Sequence, residues 1–449
     1  MKQAIQLSDH FTYKKLLRFV MPTIFMMVFT SIYSVVDGLF VANKVGSNAM
    51  ASISIVMPIN MIIGAIGFMI GSGGNAIISK SLGEGKKEQA NKYFTLFILV
   101  TVGVGVLLSA VCIIFMRQLS YLMGASDLLI DDCVVYGRIL IGGVTLFMLQ
   151  TMFQAFFITA EKPHVGFVFT LASGLTNIVL DWLFVGVLNM GIAGAAIATD
   201  IGYAVGGLLP VFYFLKGKCI IKFGKPCFDG KALRECCGNG SSEFISNVSA
   251  SVIQLLYNLQ FMKYAGEDGV AAMTIVMYVN FLFIAIHIGL TMGVAPIIGY
   301  HYGAKNKDEL KNVCKKTFII VAVLSAAMLA LSESCAGALT SLFARKGTDL
   351  YDMTVNGFRL YSISFAMCGF IIFSSAMFTA LSNGIVSAVI SFSRTVVFQI
   401  PFIFLLPLIC QQLGAPPING IWLAIVFAEL FAIVIAVIFI FTNRKKYGY

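Results

Sequence analysis

Asn177 and Asp181 stand four residues apart in TLASGLTNIVLDWLFVGV, an apolar stretch from Thr170 to Val187. That spacing puts both side chains on one face of a helix, one turn apart. The stretch is long enough to cross a bilayer, which takes roughly 20 helical residues. A carboxylate at that depth costs about 2.5–3.5 kcal/mol even on the mild insertion scale, so it faces a cavity or a partner. Two roles fit the pair: polar glue between helices, or a site for a cation or proton. Depth, counted at 1.5 Å per residue, brings in two more side chains. Asp37 stands about 21 residues up an outward-going span and Asp181 about 16 up another, while Thr199 lies about 7 down an inward-going one. All fall in the outer half of the membrane and can converge. Two carboxyls, an amide and a hydroxyl are hard oxygen ligands suited to Na+ or to protons.

Asp200 follows Thr199 directly. Helix neighbours diverge by about 100°, so the two cannot both face one site squarely, and Asp200 is either a third cavity acid or a residue near another helix or water. Arg394 and Glu429 sit at comparable depth further along the chain, where an ion pair is the simplest expectation. His287 reads as a hydrogen-bonded core residue. Cys219, Cys227, Cys236 and Cys237 gather in one basic stretch without the spacing of a metal site. There is no GxxxxGK[ST] for nucleotide and no HExxH for zinc. The acids are the chemistry to explain.

The elements that carry them are membrane spans. Of the 449 residues, 59% are hydrophobic and 12% charged, and the mean hydropathy is +0.90. Soluble domains carry about 25% charged residues, so a soluble globular protein is excluded. The start, MKQAIQLSDHFTYKKLLRF, is too polar for a cleaved signal peptide, and the first apolar segment is expected to stay as an anchor. Six segments precede Lys216 and six follow Ser241, each long enough to span. Twelve spans leave both termini on one side. Roughly 23 Lys and Arg lie in the termini and even-numbered loops against about 7 at the odd-numbered ones, so both termini and the basic Lys216–Ser241 connection are expected in the cytoplasm. The net charge of +10 is thus a topology signal and not a nucleic-acid one.

The two halves repeat. MASISIVMPIN at Met50–Asn60 pairs with VAAMTIVMYVN at Val270–Asn280, a shift of 220 positions (280 − 60). The same shift, without a gap, matches Gly73 to Gly293, Gly83 to Gly303 and Lys87 to Lys307. The expected fold is therefore an all-α polytopic membrane protein of twelve transmembrane helices, in two pseudo-twofold-related lobes of six. The N-lobe covers 1–215, the connection 216–241 and the C-lobe 242–449. At this shift Asp37 faces Tyr257 and Asp181 faces Pro401, so the first half holds acids that its twin lacks.

Taken together these residues resemble the multidrug and toxic compound extrusion (MATE) transporters, over roughly Tyr13 to Phe441. The likeness rests on Pro22, Tyr33 and Val36–Asp37 in the first span, on LGEGKK, on TNIVLD with GIAGAAIAT, and on PIIGYHYGAKNK. It implies a MOP-type fold that exports cationic, amphipathic compounds in exchange for entering Na+ or H+. It also implies an ion site at Asp37, Asn177, Asp181 and Thr199, as in prokaryotic members with an acidic N-lobe. Pro22 matches the proline at which the first helix bends, and Tyr33 a cavity-lining position. Asp200 departs from the pattern, replacing an apolar neighbour, and its extra acid tilts the expected coupling ion towards protons.

Small organic cations and the bilayer are the expected partners, with no cofactor beyond the coupling ion. The expected setting is the plasma (inner) membrane of a prokaryote, as a monomer. A flippase for a lipid-linked precursor is the alternative within transport, but a phosphate cavity calls for intramembrane Arg and Lys, and only Arg394 lies well inside a span. An intramembrane aspartyl protease would need Asp37 and Asp181 in contact, sharing a proton.

Overall fold

The structure is a computed structural model that describes residues 5–217, 219–341 and 343–449; Lys218 of the basic connection lies outside them. In lipid every backbone N–H and C=O must find a partner within its own segment, so each apolar run folds as a helix. The first half holds α1 (Tyr13–Val45), α2 (Ser47–Gly83), α3 (Lys87–Ile114) and the short α4 (Met116–Leu122). It continues with α5 (Ile130–Gly142), α6 (Val144–Thr159), α7 (Pro163–Asp181) and α8 (Gly191–Leu215). The second half runs through α9 (Gly230–Gly303), α10 (Lys307–Thr340), α11 (Asp349–Ser362) and α12 (Phe365–Ala380). It ends with α13 (Gly384–Phe392), α14 (Ile400–Gln412) and α15 (Pro417–Tyr447).

Nine of the described helices are long and apolar enough to cross a bilayer, and two bent pairs, α5 with α6 and α11 with α12, add one span each. The 74 residues of α9, one of those nine, hold two of the expected spans, separated at Gly266. With α9 counted as two, the crossing segments number twelve. Gly266 (φ 63°, ψ −151°) occupies backbone space that a residue with a Cβ rarely enters, and this lets the chain turn without a loop. The connection is shorter than the sequence suggests. Expected over 216–241, it ends at Asp229, whose carboxylate accepts the N–H groups of Ala232 and Lys231 at 3.0 Å and caps α9. Those N–H groups, that of Ala232 foremost, hold the Asp229 carboxyl below the usual carboxylate range.

The 220-residue shift is written into the backbone. Gly46 and Gly266 both turn with positive φ, as do Gly85 and Lys305. Both bent pairs bend by 46°, one around Gly143 and the other around Ile363. Because lipid tails are as apolar as leucine, helices in a bilayer associate by close packing, for which glycine is the best residue. A Cβ at Gly83 would lie 2.0 Å from the Tyr300 carbonyl oxygen, and one at Gly303 would lie 2.1 Å from that of Lys80. Gly73 abuts Gly240 and Gly293 abuts Val20, which is the same reciprocal pair one repeat apart. These approaches between halves all fall in the part of α1, α2 and α9 nearest the chain termini. There the C-terminal Gly448 rests on Lys307, so both termini share one end of the bundle. Within the first half, Phe94, Phe153, Phe156, Phe157 and Phe214 pack as one buried aromatic knot beneath the site.

Candidate cation site in the first half

Asn177 and Asp181 lie on one face of α7, as their spacing predicts, and Asn177 Nδ2 donates to Asp181 Oδ2 at 3.0 Å. Both are buried, at 4% and 2% exposed. From α1, Asp37 reaches the same cavity as Asp181. Each acid keeps one buried oxygen, Oδ1, with no partner among the described residues. The two line a cavity of about 350 Å³ between α1 and α7, whose other walls include Val36, Phe40, Val179 and Trp182. At Trp182 the α-helix gives way to a π-helical turn, Trp182–Val187, so the backbone loosens directly after the second acid. No ion pair of the described residues involves Asp37, Asp181 or Asp200.

Thr199 is placed by packing. Gly202 on α8 lies against Asn177, Ser173 Oγ donates to the Gly202 carbonyl at 2.7 Å, and Gly194 lies against Phe184. In that antiparallel register Thr199 is level with Asp181. Its hydroxyl donates to the Ala195 carbonyl at 3.0 Å, and the lone pairs of Oγ1 remain to serve a cation. Asp200 turns elsewhere. Its carboxyl sits in the bend between α5 and α6, so close to Gly143 that a Cβ there would lie 2.1 Å from Asp200 Oδ1. Like those of Asp37 and Asp181, its Oδ1 is buried with no partner among the described residues.

The Tyr33 ring packs tilted beside Phe29, with ring centroids 5.8 Å apart, against Gly174 and one turn before Asp37. Pro22 lies inside α1, which is helical without interruption across it. Two tyrosines escaped notice in the sequence. Tyr136 and Tyr203 are buried within electrostatic reach of Asp37 and Asp200, and Tyr203 stands one turn after Thr199 on α8, a spacing that could have revealed it.

The twin positions are built differently. Tyr257 stands where Asp37 stands in the first half, and its hydroxyl accepts from Gln399 Nε2 at 3.4 Å. Nearby, Arg394 Nε donates to Glu429 Oε1 at 2.8 Å, the expected ion pair, with Glu429 wholly buried. His287 is also wholly buried against Gly369, but neither ring nitrogen has a partner among the described residues, contrary to the hydrogen-bonded residue expected.

A two-fold repeated bundle of membrane helices, with uncompensated acids in one half, defines a polytopic membrane transporter. The MatE family model matches residues 22–183 and again 244–405, and the chain belongs to that family, the multidrug and toxic compound extrusion transporters. Among relatives, it is 23% identical over 453 residues to the multidrug export protein MepA of Staphylococcus haemolyticus (strain JCSC1435), covering 99% of this chain and 97% of that one. To the multidrug export protein MepA of Staphylococcus aureus (strain MRSA252) it is 23% identical over 445 residues, covering 97% and 94%. Among solved structures, the outward-facing conformation of a multidrug resistance MATE family transporter of the MOP superfamily aligns with a TM-score of 0.91, at 21% identity over 100% of this chain and 99% of that one. A MOP superfamily transporter from Pyrococcus furiosus, described by the reverse polarity of its binding pocket, aligns with a TM-score of 0.90 at 21% identity and the same coverage.

Proposed function

We propose that the protein is a multidrug efflux antiporter that exports amphipathic organic cations in exchange for H+ or Na+, by alternating access of its two halves. The observation that supports this reading is that Asp37 and Asp181 line one cavity beside Asn177, with no basic residue among its described walls. A dry carboxyl pair gains from any cation that enters, and a proton, Na+ or an organic cation each meets that need. The relatives named as multidrug export proteins support the cargo class. Contact between two acids would also suit an aspartyl protease, but membership of a transporter family weighs against catalysis. A flippase for anionic lipid precursors is disfavoured because Arg394 is held by Glu429.

Both termini and the connection are assigned to the cytoplasm on the positive-inside rule. Exposed Cys237 should then resist an impermeant maleimide applied to intact cells whose other thiols have been removed. The function is tested by uptake of a fluorescent lipophilic cation into proteoliposomes with Na+ and pH gradients imposed separately. At least one gradient should drive uptake; uptake indifferent to both would refute antiport.

A further inference from the structure

The stretch before α1 is held by both halves of the molecule. Leu7 and Phe11 are wholly buried, in a cluster with Leu290, Val294 and Ile298 of α9 and Val313 of α10. The Leu7 N–H donates to Glu161 Oε1 at 2.7 Å, in the turn between α6 and α7 of the first half. Four residues on, the Phe11 N–H donates to Glu309 Oε1 at 2.8 Å, on α10 of the second half. His10 Nδ1 lies 2.6 Å from Glu309 Oε2, and the Phe11 carbonyl accepts from Asn312 Nδ2 at 3.0 Å and Lys316 Nζ at 2.6 Å. Side chains of α10 thus hold both backbone groups of Phe11.

A second strap answers it across the pseudo-twofold axis. The connection leading into α9 lies on α3 of the first half, where the Lys222 N–H donates to Asn91 Oδ1 and the Gly224 N–H to Thr95 Oγ1, both at 2.9 Å. The segment before each half's first span therefore reaches across to the other half.

We propose that residues 5–12 form a latch that holds the two halves shut at the end bearing the termini, and that the latch must leave α10 for that end to open. This rests on the reading that the halves rock. Only Thr12 separates Phe11 from the first residue of α1, and one residue spans at most about 3.6 Å. With the Phe11 bonds intact, α1 cannot draw away from α10. Contacts made in one state alone shift the equilibrium by their full differential free energy, and bonds to a charged carboxylate are the stronger kind.

The test uses the full chain, with its native cysteines replaced, in liposomes. A His10→Cys, Glu309→Cys pair is oxidised and then reduced. Transport of a lipophilic cation should fall at least tenfold on oxidation and recover on reduction, within one folded sample. Measurable transport at equal rates in both states overturns the latch. In parallel, spin labels at Lys87→Cys and Lys307→Cys report the gap between halves by electron–electron distance measurement. Glu161→Ala with Glu309→Ala should add a population longer by roughly a helix diameter, about 10 Å, and an unchanged distribution also overturns the latch. Labels that separate on unclamping in a protein that moves no cation would support the latch and defeat only the transport reading.

Discussion

The two halves share a backbone and differ in how they neutralise charge. In the first, Asp37 and Asp181 line one cavity with a buried oxygen left on each and no basic side chain paired to them among the described residues. In the second, Tyr257 and Gln399 form a neutral pair, and the buried acid Glu429 is held by Arg394. An ion pair balances its own charge without any guest, though Glu429 Oε2 is buried with no partner among the described residues, whereas an ionised carboxyl pair without a basic partner gains from any cation that binds. The 220-residue repeat supplies a common frame, and the two halves differ in the polarity that they place on it.

The largest effect expected from this contrast is on transport. Asp37→Asn or Asp181→Asn should each cut gradient-coupled export by about 100-fold or more, since about 2.7 kcal/mol of lost cation stabilisation already does so. Membrane insertion should be unimpaired, because a charge has been removed. Equal drug resistance at matched protein levels in wild type and both mutants would erase the distinction between the halves.

In the second half the expected loss is of stability. Glu429→Ala leaves the Arg394 guanidinium buried and unpaired, at a cost of about 3–5 kcal/mol, visible as a lower melting temperature of detergent-purified protein. Replacing both, as Arg394→Met with Glu429→Met, should restore most of that loss. A double mutant as unstable as the single one would mean that the pair does more than balance charge.

Smaller again is the effect at the bend. Gly143→Ala drives a methyl into the Asp200 carboxyl and should cost about 1–3 kcal/mol, relieved by adding Asp200→Ala. If Asp200→Ala fails to relieve it, the carboxyl does not occupy that notch. The smallest change expected is at Thr199. Thr199→Val removes one oxygen ligand and should weaken Na+ dependence by about 5-fold, the worth of roughly one hydrogen bond, while leaving proton dependence alone. A matching loss of both would point to a packing role.

Much of this was legible before any coordinates. The 220-residue shift matched Gly73 to Gly293 and Gly83 to Gly303, and an ungapped repeat leaves such equivalent residues at equivalent crossings. The pairing of Asn177 with Asp181 follows from helical spacing alone. What stayed hidden depends on partners distant in sequence. The direction of Asp200 is set by Gly143, 57 positions away, and an unaligned chain carries no mark of that contact. The bends at Gly143 and Ile363 and the π-helical turn after Asp181 are local yields of packing in runs whose apolar pattern is continuous. The start of α9 at Gly230 was masked because its first turns are polar and lie outside the lipid, where hydropathy does not report a helix.

The central claim is that one uncompensated acid pair serves ion and drug in turn. It is tested most directly by the affinity of purified protein for a fluorescent lipophilic cation, titrated with Na+ and, separately, with pH. Wild type should bind the dye more weakly as Na+ rises or as pH falls, and the Asp37→Asn, Asp181→Asn double mutant should bind it weakly and without regard to either. Dye affinity that neither ion changes, or an ion effect that survives in the double mutant, would contradict a shared site.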